Sequence, residues 1–138
     1  MANPLFVAID VPDVAAARGL AQAVARHVGG IKLGLEFFCA HGPAGIAAVT
    51  EGLALPLFLD LKLHDIPNTV AGAVRSLAGI APSILTVHAA GGHAMLAAAK
   101  AAALPGTRVV AVTVLTSLDD ADLAAAGVGD GAAAQVAR

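Results

Sequence analysis

The strongest constraint on this chain is a rhythm. Short apolar runs of strand length recur at Leu5–Ile9 (LFVAI), Ile31–Gly34 (IKLG), Leu57–Leu61 (LFLDL), Ile84–His88 (ILTVH) and Val109–Leu115 (VVAVTVL). They begin at residues 5, 31, 57, 84 and 109, so successive starts fall 26, 26, 27 and 25 residues apart. The runs are continuous rather than alternating, which is the pattern of strands covered on both faces, as in parallel sheets. Between them lie alanine-rich segments of helical length, Val14–His27, Pro43–Glu51, Asn68–Ala78 and His93–Ala103. Asp13 is placed to cap the first and Gly29-Gly30 to stop it, while Pro43 and Pro67 suit helix entrances. Alanine loses no side-chain entropy in a helix and lets it approach a sheet closely. A strand-then-helix unit repeated at this spacing predicts an α/β fold, either a (β/α)8 barrel or an open doubly wound sheet.

Beyond Leu115 come a polar turn at Thr116-Ser117 and three acidic residues, Asp119, Asp120 and Asp122. A short helix, a glycine-containing stretch over Gly127–Gly131 and a further helical start over Ala132–Arg138 follow. Five strands are legible where a barrel has eight. Residues 1–138 therefore read as one partial domain of about five βα units, with three units absent.

Composition sharpens that point. The chain is 58% hydrophobic and 13% charged, with 35 alanines in 138 residues, whereas soluble domains average about 25% charged. Either it enters a membrane or its apolar surface is covered by something else. Ser76–Ala99 contains no Asp, Glu, Lys or Arg, but Pro82 and Gly91-Gly92 break the helix that a bilayer demands. Met1–Pro4 offers no basic leader, and the single cysteine, Cys39, excludes an internal disulfide framework. A reducing, cytoplasmic setting is expected. Net charge is -2, with no basic run and no Trp or Tyr, so neither nucleic acid nor membrane is an expected partner.

In such folds the chemistry gathers at the carboxyl ends of the strands. The first run ends in Asp10, the second contains Lys32, the third runs into Asp60, Lys62, His64 and Asp65, the fourth ends in His88, and the fifth in Thr116-Ser117. Asp60 and Lys62 are two apart, so an extended strand turns both to one face and Leu61 to the helices. A charge is tolerated there only if paired. One reading is a structural ion pair. The other is an ammonium kept protonated between carboxylates and poised to donate a proton. Asp10 reads as a helix cap or a site group, His88 as an interior histidine or a site group, and Thr116-Ser117 as a turn or a site wall. Gly91-Gly92 reads as a tight strand-to-helix turn.

Asp60–Thr69 reads DLKLHDIPNT, and VAIDVP, IKLG, VHAAGG and VTVLTS stand around it in order. This set resembles the orotidine 5'-phosphate decarboxylase family, whose D-x-K-x-x-D motif ends the third strand of a (β/α)8 barrel. The resemblance runs from about Leu5 to Gly127. It implies conversion of orotidine 5'-phosphate to uridine monophosphate without metal or organic cofactor. By the same resemblance, Lys62 protonates C6, Asp60 sits by the substrate carboxylate, and Lys32 bridges Asp60 and the ribose. Asp10 binds ribose hydroxyls and Thr116 lies near the pyrimidine. Asp65 and Thr69 reach into the neighbouring site of a homodimer, Asp65 completing an alternating Lys32–Asp60–Lys62–Asp65 array. His88 is a further substrate-binding candidate with no defined role. Metal-dependent sugar-phosphate decarboxylases and aldolases of the same superfamily share D-x-K-x-x-D but carry an acidic residue where this chain has Lys32. The family's phosphate grip belongs to later strands, so a chain inactive without a complement is also an expectation.

Overall fold

The structure, a computed structural model, describes residues 3–138. Met1 and Ala2, which open the stretch read above as lacking a basic leader, lie outside the described residues. Five parallel strands alternate with helices in the order β1 (Phe6–Ala8), α1 (Val14–Val24), β2 (Gly30–Gly34), α2 (Leu35–Thr50), β3 (Leu57–Leu63), α3 (Pro67–Ser76), β4 (Ile84–His88), α4 (Gly92–Ala102) and β5 (Arg108–Val112). Two short helices, α5 (Asp120–Ala125) and α6 (Gly131–Ala137), close the chain. The sheet order is β1-β2-β3-β4-β5, every neighbouring pair parallel. A doubly wound sheet reverses its strand order at a switch point, and a barrel does not. The sequential order therefore selects the barrel arrangement from the two left open by the spacing.

Side-chain parity divides the sheet into two faces. Ile9, Ile31, Leu33, Leu59, Leu85 and Val87 are almost wholly buried beneath the helices. They pack on Ala17 and Ala21 of α1, Ile46 and Val49 of α2, Val70 and Val74 of α3, and Met95 and Ala99 of α4. The opposite face is more open, with Ala8 exposed, Phe6, Phe58 and Ile84 half-buried, and Val110 45% exposed. At its amino-terminal end Phe6 lies across β2 and meets Phe58 edge-on, ring centroids 6.2 Å apart. Gly30 permits this, because a Cβ there would sit 2.2 Å from the Phe6 ring.

Local signals explain most boundaries. The Asp13 carboxylate accepts the Ala16 N–H at 2.8 Å and caps α1. That helix ends at Val24, short of the expected His27. Gly29 serves close packing instead of helix termination, since a Cβ there would collide with the Asn3 carbonyl oxygen. The helix expected from Pro43 begins earlier, at Leu35, and is broken at Gly42, whose φ of 58° only a glycine adopts freely. Proline and glycine mark a kink here rather than a start. β5 stops at Val112 although the apolar run continues to Leu115. Val112 pairs with His88, the last residue of β4, so β4 offers residues 113–115 no further partner. Ser76–Ala99 is cut into a helix end, β4 and most of α4, and no helix among the described residues is long and apolar enough to cross a membrane.

Candidate active site

The carboxyl end of the sheet holds a compact charge cluster centred on Asp60, which is 9% exposed. Its Oδ1 accepts hydrogen bonds from Lys62 Nζ at 2.9 Å and Thr86 Oγ1 at 2.8 Å. Its Oδ2 accepts from Lys32 Nζ at 3.3 Å. Register brings the groups together: β2 pairs with β3 so that Gly34 lies opposite Asp60 and Lys32 opposite Phe58, placing Lys32 one pleat below. Burial alone would raise the Asp60 pKa. The hydrogen bonds from Lys62, Thr86 and Lys32, with the Lys62 charge, outweigh it and hold the carboxyl below its ordinary value. Asp60 is thus a fixed anion between two cations.

The strand is not regular where it presents Lys62. Leu59 pairs with Leu85 and Leu63 with Val87, so β3 spends four residues where β4 spends two. Lys62 sits in this bulge at φ 50°, left-handed backbone that costs a non-glycine residue roughly 1–2 kcal/mol. Its N–H donates to Thr86 Oγ1 at 2.9 Å. The expectation that Asp60 and Lys62 share a face holds, but by a bulge and not by simple alternation. Leu61 is buried in the helix-side core, as expected.

The remaining sequence candidates spread around this centre. Asp10 follows β1, is exposed, and lines a cleft of about 180 Å³ with Gly34, Glu36 and Phe37. Asp13, not Asp10, caps α1. Asp65 is exposed and its Oδ1 accepts the Ile66 N–H at 2.7 Å. Among the described residues Asp60 is the one carboxylate bonded to Lys62. β3 ends at Leu63 and α3 begins at Pro67, so Asp65 lies in the exposed connection between them. Thr69 is exposed in the first turn of α3. Thr116 lies in an exposed turn beyond the end of β5, because β5 can extend no further than its partner.

His88, at the end of β4, is half-buried with its ring against His64, centroids 5.4 Å apart. Burial, then the charges of His64 and Lys62, push its pKa below the ordinary histidine value. It therefore favours the neutral imidazole. Sequence reasoning assigned nothing to His64 or Thr86. His64 lies inside the DLKLHDIPNT motif. Thr86 was visible as the polar residue sharing the parity of His88 in ILTVH.

Comparison with known proteins gives the family and the fold. Residues 3–138 match the family model described as orotidine 5'-phosphate decarboxylase / HUMPS family. The chain is 60% identical over its whole length to an orotidine 5'-phosphate decarboxylase of Novosphingobium aromaticivorans, covering 61% of that protein. It is 59% identical over 93% of its length to one from Thermobifida fusca, covering 54% of it. Among solved structures it resembles an uncharacterized conserved protein from Geobacillus kaustophilus, with a TM-score of 0.77 and 39% identity, covering 88% of this chain and 59% of that one. It also resembles orotidine 5'-phosphate decarboxylase from Pyrococcus horikoshii, with a TM-score of 0.72 and 25% identity, covering 81% and 52%. The chain thus spans little more than half the length of the relatives it matches. With its motifs at the strand ends and a family match over nearly every residue, the chain belongs to the orotidine 5'-phosphate decarboxylase / HUMPS family.

Proposed function

We propose that this chain carries the charged half of a decarboxylase site that converts orotidine 5'-phosphate to uridine monophosphate. The observation that supports it best is Asp60 held between Lys32 and Lys62 on adjoining strands. When the C6–carboxylate bond breaks, its electron pair stays on C6, and the Lys62 ammonium supplies the proton that C6 takes up. An ammonium interacts more favourably with that developing carbanion than with the neutral ring carbon. A carboxylate at Asp60 interacts less unfavourably once the substrate's own carboxylate has left as carbon dioxide. Both effects differ between ground and transition state, which is what lowers a barrier. Lys32 is to fix Asp60 and reach the ribose, with Asp10 on the ribose hydroxyls. Thr116 is to lie by the pyrimidine, and His88 to stand near the substrate without a defined contact. No metal or organic cofactor enters this scheme.

Asp65 and Thr69 are exposed at one loop–helix junction, and neither bonds Lys62 among the described residues. This supports their use in the neighbouring site of a homodimer. The reading places the protein in the cytoplasm, and the phosphate grip on later βα units than the five present. The sugar-phosphate alternative is less well supported, because the cation Lys32, bonded to Asp60, stands where those enzymes carry an acidic residue.

The test measures uridine monophosphate formation by this chain and by the same chain continued with the remaining segment of the Novosphingobium relative. The continued chain is expected to turn over without added metal and to resist chelators. Lys62→Ala is expected to lower kcat by at least about 10²–10⁴, the range for loss of a positioned general acid. Undiminished turnover by Lys62→Ala, or chelator-sensitive turnover, would overturn the assignment.

A further inference from the structure

We propose that Thr86 is a positioning residue of this site: its one hydroxyl aims the Asp60 carboxylate and holds the backbone bulge that presents Lys62. The inference rests on the functional reading above for its purpose, but its geometry stands independently. Thr86 is 2% exposed, so solvent does not stand in for its partners. A hydroxyl has one proton to donate and two lone pairs to accept with. The Lys62 N–H donates to Thr86 Oγ1 at 2.9 Å, and Thr86 Oγ1 donates to Asp60 Oδ1 at 2.8 Å. An amide N–H only donates and an ionised carboxylate only accepts. The direction of the hydroxyl proton is therefore fixed toward Asp60, with no alternative rotor.

The bulge explains why a side chain is needed. Between Leu59 and Leu63 the β3 ladder slips against β4, and Lys62 sits there at φ 50°. Its amide is turned to a side-chain hydroxyl in place of a strand carbonyl. A buried N–H left unsatisfied is costly, and left-handed backbone at a lysine persists only where its surroundings enforce it. Thr86 supplies that enforcement and spends its own proton on the anion that Lys62 grips. A single atom thus couples the backbone of the proposed proton donor to the orientation of its counter-ion.

The proposal predicts separate behaviour for three side chains. Serine keeps the hydroxyl, while valine keeps the shape and loses both bonds. In the 138-residue chain, ¹³C NMR is expected to show the Asp60 carboxyl titrating at higher pH in Thr86→Val than in wild type, because a donor to the anion is gone. Thr86→Ser is expected to restore the wild-type midpoint. Hydrogen exchange at the Lys62 amide is expected to be slow in wild type and Thr86→Ser and fast in Thr86→Val. A merely structural threonine would lower stability in Thr86→Val without moving Asp60. An unmoved midpoint in folded Thr86→Val, or a serine variant that behaves like valine, would overturn the proposal. If Thr86→Val does not fold, an unprotected Lys62 amide in the wild type would overturn it. These readouts need no turnover, so a chain that proves inactive refutes the functional reading and leaves the positioning role to be decided by NMR.

Discussion

Replacing Asp60 with asparagine tests the electrostatic logic of the site most directly. The substitution keeps shape and an oxygen for Thr86 but removes the charge that two ammonium groups share. Hydrogen bonds to charged groups contribute about 1.5–3 kcal/mol each, whereas exposed ion pairs contribute about 0–1 kcal/mol. The Lys62 bond is short at 2.9 Å and the Lys32 bond longer at 3.3 Å, with lysine side chains 33% and 27% exposed. Solvent screening therefore places the pair between those limits, and Asp60→Asn is expected to cost about 2 kcal/mol at pH 7. Urea unfolding followed by circular dichroism measures it, as a lowered midpoint at unchanged slope. The pH dependence is the sharper check. The carboxyl is held below its ordinary value in the folded chain, so its stabilisation is complete above the unfolded value of about 3.9. It is lost as pH falls through the lower folded value, where wild type becomes as neutral as the variant. The gap between the two proteins should close on acidification. Equal stability at pH 7, or a gap that persists undiminished in acid, would refute the reasoning.

Three further outcomes follow from packing and charge. Gly30→Ala should destabilise the chain by about 1–3 kcal/mol, because the new Cβ meets the Phe6 ring at 2.2 Å; unfolding at the wild-type urea midpoint would show that Phe6 does not lie across β2. Ala21→Leu, at a fully buried position of α1, should cost a similar amount, about 1–3 kcal/mol, and a neutral result in urea would mean the helix–sheet contact is looser than described. By NMR His88 should titrate below the ordinary histidine value, and His64→Ala should move it upward by removing a neighbouring charge; an unmoved midpoint would contradict the pairing of the two rings. Because that folded value is lowered, the stability contributed by His88 is complete above about 6.5 and declines as pH falls from there toward the folded value, a dependence that His88→Gln should flatten in urea unfolding.

Much of the site was legible because strand ends are where a parallel α/β fold must expose polar groups. Asp60, Lys62 and Lys32 stood out as charges inside apolar runs, and charges there need partners. The partners proved to be one another. Asp65 makes no ion pair with Lys62 among the described residues, and spacing alone says nothing about where a loop turns once a strand has ended. Hydropathy extends to Leu115 and so sets Thr116 at a strand end, while the strand's actual length is set by its neighbour. Sequence starts this helix at Pro43 and the structure at Leu35, because glycine and proline at 42–43 look like a beginning when read without tertiary context.

The sequence by itself determined the alternation of strand and helix, the parallel class of the sheet and the identity of the charged cluster. Each follows from a local periodicity or from the cost of burying an unpaired charge. Only the tertiary structure decided that the strands run in sequential order, which separates a barrel arrangement from a doubly wound one. Only it revealed the bulge at Lys62 and the hydroxyl of Thr86 that sustains it. Those depend on register between strands more than twenty residues apart in sequence, where a slip of the ladder changes which groups meet, and no property of either strand alone specifies that slip.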